Sequence, residues 1–219
     1  MKMQITLSDE VRDFSNPVDV QLIGENGTVN GEYCLSLNDV LSAFSHSASI
    51  KKEETPMLPR GCIKHVTTIG GYEVFIDVPK QQWKITYGNN PVFLGFPRLV
   101  FKYVLEGNRI TSLYVVAVKG RSSITGDTQL FHFPFANVDH VNAKVCMGTN
   151  QFPEVDDIVS LDMMHLLFFS APFGDDYNAS TLLSTPNGML IREFEGKDFG
   201  DDILRPYKQT FNQFFELAK

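Results

Sequence analysis

The stretch Pro97–Gly120, PRLVFKYVLEGNRITSLYVVAVKG, contains two runs rich in β-branched and aromatic residues, joined by the short turn EGN. Apolar side chains in LVFKYVL recur at alternate positions with few polar interruptions, as in a strand that packs one face on a core. The turn is far too short for the helical crossover that parallel strands need. The stretch therefore predicts an antiparallel hairpin.

Further β-rich runs lie before this hairpin. CIKHVTTI and YEVFIDVP flank the Gly70-Gly71 turn and extend the hairpin into an antiparallel meander. One face of such a sheet requires a cover. The segment PEVDDIVSLDMMHLLFFSAP, bounded by Pro153 and Pro172, predicts that cover as a buried helix over about 154–170. Its apolar residues at helical spacing are Val155, Ile158, Val159, Met163, Leu166 and Leu167.

The end of the chain, DDILRPYKQTFNQFFEL, predicts a last helix with a phenylalanine stripe, kinked or started late by Pro206. Together these elements give an α+β fold, in which a helix backs an antiparallel β-meander. The polar, proline-containing stretch His46–Gly61 predicts a linker. We therefore expect an N-terminal flank over residues 1–50, with two short strands and a helix, and a second domain over 58–219 with a C-terminal helical extension.

Composition excludes several classes of function. The formal net charge is −7, and no clustered basic surface is evident, so nucleic acid is not expected as a partner. No apolar run is long enough to span a membrane, and the N-terminus lacks an apolar segment of signal-peptide length, which predicts a cytoplasmic protein. The histidine and cysteine spacings predict no metal site, and the absence of nucleotide-binding motifs predicts no cofactor.

The stretch Leu130–Pro153, LFHFPFANVDHVNAKVCMGTNQFP, holds the candidate chemistry. Cys146 stands between two apolar residues, and free cysteine is often a buried core residue, so its pattern alone leaves packing and nucleophilic chemistry both open. Asn137 lies nine positions earlier, where its residue type alone favours a turn over a catalytic role but leaves both open. The other two cysteines, Cys34 and Cys62, lie in strand-like runs and are expected to be core thiols.

The order of meander, asparagine turn, cysteine and helix resembles the ubiquitin-conjugating enzymes. More narrowly, the hairpin stretch together with DTQLFHFPFANV and VCMG is similar to prokaryotic ubiquitin-conjugating family D, which includes protein B of PRTRC cassettes. The resemblance covers about Leu58 to Asn178. It departs from the eukaryotic pattern at Phe135-Ala136-Asn137, where that pattern has His-Pro-Asn, and at Met147, where an acidic residue is common.

The resemblance implies that Cys146 accepts a ubiquitin-like protein of the β-grasp fold as a thioester and transfers it to an amine. Asn137 would then hold the active-site loop or stabilise the oxyanion, and the loss of one such donor typically costs about 100-fold to 1000-fold in rate. Asp175 and Asp176 would lie in the acidic loop that orients the incoming amine. Because the chain has no nucleotide-binding motif, a separate ThiF-like adenylating enzyme would supply the activated protein.

Two other functions fit the same sequence. A chain with the conjugating fold could present a ubiquitin-like protein without forming a thioester. Alternatively, His140 or His132 could pair with Cys146 in a thiol hydrolase, which requires an imidazole within hydrogen-bond reach of the sulfur.

Overall fold

The computed structural model describes residues 2–47, 55–68, 70–146, 148, 151–175 and 177–216. The chain divides into two compact units, residues 1–54 and 55–219. The first unit is an antiparallel three-stranded sheet followed by a helix: β1 (Lys2–Thr6), β2 (Pro17–Ile23), β3 (Val29–Ser36) and α1 (Leu37–Ser47). The sequence pattern had not indicated β1.

Within the residues that the structure describes, the second unit has two sheets and three α-helices. Its strands are β4 (Cys62–Thr68), β5 (Gly71–Val78), β6 (Gln81–Tyr87), β7 (Asn90–Phe96), β8 (Arg98–Glu106), β9 (Arg109–Val118), β10 (Gln129–Phe131), β11 (Pro172–Phe173) and β12 (Pro206–Thr210). Its helices are α2 (His165–Ser170), α3 (Asn187–Phe194) and α4 (Phe211–Glu216), with 3₁₀ turns at Ile158–Met163 and Asp201–Ile203.

The larger sheet has six strands in the order β12-β10-β9-β8-β5-β4, and every neighbouring pair is antiparallel. The predicted meander and the α+β class are therefore confirmed. Strands β8 and β9 lie at its centre, and most side chains of β8 are buried whichever face they occupy. The near-continuous apolar run of β8 follows from this position, because both faces of the strand are covered.

The smaller sheet, of order β11-β6-β7, was not expected from the sequence. Its hairpin β6–β7 turns at Gly88, whose φ of 59° suits a residue without a Cβ. Strand β11 pairs in parallel with the end of β6, and Phe173 lies opposite Tyr87. This pairing brings Tyr87 beside the segment that leads to Asp175.

The helix predicted over 154–170 is wrong in its length and in most of the side chains that it was expected to bury. Asp157 accepts a hydrogen bond from the Val159 amide at 3.0 Å and starts a 3₁₀ turn, and a regular α-helix is present only at α2. Of the residues predicted to face the core, Val155 is buried, whereas Met163, Leu166 and Leu167 are exposed, and Leu161, Phe168 and Phe169 are buried in their place. Large aromatic rings bury more apolar surface than the leucines beside them, so they take the inward positions.

The last helix begins late, at Phe211, which is one of the two outcomes that Pro206 had left open. Pro206 has no amide hydrogen and cannot continue a helix, and residues 206–210 instead form β12. The Gln129 side chain donates to the carbonyls of Tyr207 and Gln209 and so ties β12 to β10. Only α4 is helical, and its buried residues are the three phenylalanines of the predicted stripe, Phe211, Phe214 and Phe215.

The core of the second unit is rich in aromatic rings. Phe96, at the end of β7, is fully buried and contacts four other phenylalanine rings with centroids 4.9–6.0 Å away: Phe133, Phe135, Phe169 and Phe173. Edge-to-face packing of this kind is favoured by the ring quadrupoles. None of the helices in the described part of the chain has the length and apolar character needed to cross a membrane.

Candidate active site

Cys146 and Asn137 face each other across a short hairpin. The Cys146 amide donates to the Asn137 carbonyl at 2.9 Å, Val138 bridges Val145, and the Asp139 amide donates to the Lys144 carbonyl at 2.9 Å. The nine-residue spacing seen in the sequence is thus the length of one hairpin, which we call the 137–146 hairpin. The spacing brings the two candidate residues together through the backbone.

The 137–146 hairpin is fixed to the main sheet. The Val115 amide donates to the Ala143 carbonyl at 2.9 Å, and the Val145 amide donates to the Leu113 carbonyl at 2.8 Å. Val138 and Ala143 are buried, so the apolar side of the hairpin lies against the core. Cys146 therefore lies on a supported backbone, in line with the observation that functional loops are positioned by a rigid scaffold.

The three cysteines differ in exposure. Cys146 is exposed, and no hydrogen bond joins its sulfur to any residue that the structure describes. Cys62 is half-buried, and burial raises the pKa of its thiol, which disfavours the thiolate. Cys34 is exposed on β3, so the expectation that both other cysteines are core thiols is wrong for Cys34; its side chain points to the open side of the strand.

Asn137 has a left-handed backbone, with φ of 73°. Asparagine adopts this conformation more readily than most residues do. Its side chain spans to the β11 segment: Nδ2 donates to the Pro172 carbonyl at 2.9 Å, and Oδ1 accepts from the Gly174 amide at 3.4 Å. Asn137 therefore links the cysteine hairpin to the chain that leads to Asp175.

Asp175 is exposed but its carboxylate is held in place. The Tyr87 hydroxyl donates to the two carboxylate oxygens at 3.1 and 3.0 Å, and Asn187 Nδ2 donates to Oδ1 at 3.2 Å. Burial, together with the hydrogen bond and negative charge of Asp175, raises the pKa of the Tyr87 phenol, so Tyr87 is a neutral donor. Asp176, the other acid of the predicted pair, lies outside the described residues.

Asn187 is a site residue that sequence reasoning missed. It is buried, its Oδ1 accepts from the Ala136 amide at 3.3 Å, and its Nδ2 also donates to the Gly174 carbonyl at 2.9 Å. In the sequence, Pro186-Asn187-Gly188 resembles an ordinary turn. The available signal was helical spacing, because Asn187 precedes the buried Leu190 and Ile191 by three and four positions and shares their face of α3.

A cleft of about 330 Å³ opens beside Asp175. Its polar lining comes from Tyr87, Asp175, Asn178, Asn187 and Arg192, and Pro186, Gly188 and Met189 complete it. We call it the Asp175 cleft. The Tyr87 hydroxyl sits directly over Gly188, where a Cβ would come within 2.6 Å of the oxygen.

The histidines do not form the pairing that a thiol hydrolase requires. His132 stacks on Tyr207 with centroids 3.7 Å apart, and the Tyr207 hydroxyl donates to the His140 carbonyl at 3.3 Å. Burial, with smaller contributions from the charges of Arg205 and His140, lowers the pKa of His132 to about 4. Within the described residues neither imidazole is hydrogen-bonded to the Cys146 sulfur, so the hydrolase alternative gains no support.

Comparison with known families matches this fold and this hairpin to one family. The model of Prokaryotic E2 family D matches residues 60–209, about two thirds of the chain. The chain belongs to Prokaryotic E2 family D, which relates it to ubiquitin-like conjugation. The match extends beyond the range of the resemblance seen in the sequence and includes α3 with Asn187. No curated protein and no solved structure matched the chain.

Proposed function

We propose that this chain accepts a ubiquitin-like protein as a thioester on Cys146 and transfers it to an amine acceptor. The observation that carries the proposal is the arrangement around one hairpin. Cys146 is exposed, its amide is bonded to Asn137, and the Asn137 side chain holds the segment that ends in Asp175. A nucleophile, a positioning amide and a carboxylate are thereby joined by a short chain of hydrogen bonds.

The first step is thioester exchange. The Cys146 thiolate attacks the carbonyl carbon of a ubiquitin-like protein that is held as a thioester on a ThiF-like adenylating enzyme. A new C–S bond forms, the bond to the enzyme's sulfur breaks, and that sulfur leaves as a thiolate that takes up the proton lost by Cys146. An exposed thiol is sufficient for this step, because the attacking and leaving groups are both thiolates and no strong base is required.

The second step is aminolysis of the Cys146 thioester. The acceptor nitrogen attacks the carbonyl carbon, a C–N bond forms, and the C–S bond breaks with Cys146 leaving as a thiolate. The nitrogen loses a proton, which Asp175 accepts through a hydrogen bond and passes to solvent. Asn137 acts by position, because its amide keeps Pro172 and Gly174, and hence Asp175, beside the hairpin.

The proposal includes the setting in which the chain works. We assign the conjugating role to the domain over 58–219 and leave the N-terminal flank without a chemical part. The partners are a β-grasp ubiquitin-like protein and a ThiF-like enzyme of a bacterial cassette of the PRTRC kind, and the reaction takes place in the cytoplasm. The family match and the PRTRC-like motifs support this setting.

The test is adduct formation with purified components. The chain, its ubiquitin-like protein, the ThiF-like enzyme and ATP should give an adduct on a non-reducing gel that dithiothreitol removes. Cys146→Ala should abolish it, whereas Cys34→Ala, which removes the other exposed thiol, should leave it unchanged. Cys146→Ser gives a sharper result, since an oxygen ester resists thiol exchange and is cleaved by hydroxide.

Two outcomes would overturn the proposal. One is a thiol-labile adduct that persists in Cys146→Ala. The other is the lack of any adduct with the wild-type chain and an active ThiF-like enzyme. In the first case another cysteine carries the adduct. In the second case the better account is the binding module, which presents the ubiquitin-like protein without reacting with it.

A further inference from the structure

We propose that the Asp175 cleft is the acceptor site and that it selects an amine whose molecule also carries a carboxylate. The amine binds at Asp175, and the carboxylate binds at Arg192. This inference rests on the proposed transfer function and adds to it the chemical class of the acceptor.

The anionic end of the cleft is preorganised. Asp175 is exposed, yet Tyr87 and Asn187 fix both of its oxygens through hydrogen bonds of 3.0–3.2 Å. An ionised carboxylate offers about four acceptor positions, so the donors Tyr87 and Asn187 leave capacity for an incoming ammonium or amine. A carboxylate that is already held in one orientation binds a cation without the entropy cost of ordering its side chain.

The packing of Gly188 shows that the donor to Asp175 is tightly fitted. Because the Tyr87 hydroxyl would lie 2.6 Å from a Cβ at this position, only glycine allows the present placement of the phenol. Asn187 is buried at the same cleft, and both the oxygen and the nitrogen of its side-chain amide are hydrogen-bonded to backbone groups. The wall that holds Asp175 is therefore built from a buried amide and a close backbone approach rather than from surface side chains alone.

The cationic end is Arg192. It follows Gly188 by four positions on α3, so both residues lie on the face of the helix that borders the cleft. Its charge also acts on the Tyr87 phenol, whose pKa it lowers, in opposition to Asp175. Among the residues that the structure describes, no carboxylate forms an ion pair with Arg192.

Opposite charges on one cleft favour a ligand of mixed charge. A simple alkylamine can satisfy Asp175 only, whereas an amine with a nearby carboxylate satisfies both ends. The planar guanidinium of arginine matches a carboxylate with two parallel hydrogen bonds. A lysine side chain beside a free or side-chain carboxylate has this chemistry.

The cleft is joined to the thiol through the backbone. Asn187 accepts from the Ala136 amide, and the next residue, Asn137, bonds to the Cys146 amide through its carbonyl. Asn137 in turn bonds to Gly174, which Asn187 also contacts. The wall of the cleft is therefore hydrogen-bonded, through Asn187, to the turn that carries the thioester.

The main experiment uses two amines that differ by one carboxylate. The Cys146 thioester is purified and discharged in a single turnover by N-α-acetyl-lysine or by its methylamide, each below saturation. N-α-acetyl-lysine should react about threefold to tenfold faster, the range expected for one charge-assisted contact that stays partly in water. Arg192→Gln should make the two rates equal. Arg121→Gln, which changes an exposed arginine outside the cleft, should preserve the difference.

The outcomes separate this inference from the function on which it rests. Equal rates for the two amines with wild-type thioester would overturn the acceptor site while leaving the transfer function intact. If no thioester forms, the proposed transfer function fails. The acceptor site is then tested by binding of the two amines to the Cys146→Ser protein with no ubiquitin-like protein attached. In that case N-α-acetyl-lysine should shift the amide resonance of Gly188, the methylamide should do so less, and a lack of any difference would overturn the site.

Discussion

The aromatic core around Phe96 and the polar junction around Asn137 lie next to each other but are held together by different forces. Phe96 contacts four rings and makes no directional bond through its side chain. The side-chain amides of Asn137 and Asn187, by contrast, make five of the hydrogen bonds that join three segments of the chain. The core should therefore govern stability, and the junction should govern the placement of Asp175 beside Cys146.

The largest expected effect concerns the core. Phe96→Ala should lower the free energy of unfolding by about 3–5 kcal/mol, because it removes a fully buried ring and leaves a cavity among four others. Urea unfolding measures it. The matched control is Phe93→Ala on the same strand, whose ring is 59% exposed and whose loss should change stability by less than about 0.5 kcal/mol. Similar losses for the two variants would contradict the assignment of the core.

The next effect concerns the junction and is kinetic. Asn137→Ala should leave charging of Cys146 nearly intact and slow aminolysis by about 100-fold, since small displacements of a positioned group carry costs of this size. Single-turnover discharge to lysine measures it. Asn137→Gly keeps the left-handed backbone and removes only the amide, so it should show the same loss. A glycine variant with wild-type rates would show that the turn, and not the amide, is what matters.

A smaller effect is expected at Asn187, the buried residue of the polar junction. Asn187→Ala leaves the Ala136 amide and the Gly174 carbonyl without this partner and should cost about 1–3 kcal/mol of unfolding free energy. It should also slow aminolysis, because Asp175 loses one of its donors. Asn38→Ala, which changes an exposed asparagine of α1 outside the cleft, is the control and should change neither quantity. An Asn187→Ala protein that is less stable but transfers at the normal rate would show that Asn187 supports the fold without positioning Asp175.

The smallest effect is a pH dependence of stability. The pKa of His132 is lowered to about 4 in the folded protein, so below pH 6.5 the unfolded chain takes up a proton that the folded chain resists. Stability should fall as pH is lowered from 6.5 towards 4. Between pH 7 and pH 5 the contribution is about 1 kcal/mol, after allowance for the solvent that still reaches the ring. His132→Gln should remove this part, and an unchanged pH profile in that variant would contradict the burial of the imidazole.

The features of this molecule that depend on local sequence pattern could be predicted from the sequence. Alternating apolar residues predicted the strands on either side of the EGN turn, and the resemblance to the ubiquitin-conjugating enzymes singled out Asn137 and Cys146 as a pair. The contacts of Asp175 could not be predicted in the same way. Tyr87 precedes it by 88 residues, on a hairpin that the pattern did not mark, and only the pairing of β6 with β11 brings the two together.

The helix wrongly predicted over 154–170 and the strand missed at 206–210 share a cause. Residues 154–170 and 201–216 each have apolar residues at helical spacing, but neighbouring strands and rings determine the conformation. Bonds from Gln129 turn residues 206–210 into a strand, and the packing of Phe168 and Phe169 sets which face of α2 is inward. The spacing of apolar residues shows which side chains can be buried. It does not show the tertiary contacts that determine whether the backbone forms a helix or a strand.

The 137–146 hairpin also determines where the chain tolerates insertion. Its two arms are in fixed register from Asn137 and Cys146 to Asp139 and Lys144, so one residue added within an arm would turn the thiol to the opposite face. The tip is different, because Val141 is 85% exposed and lies outside the paired arms. A fluorescent reporter inserted after Val141 would therefore sit a few residues from the thiol without disturbing the pairing, and would give an optical signal for the arrival of a protein on Cys146.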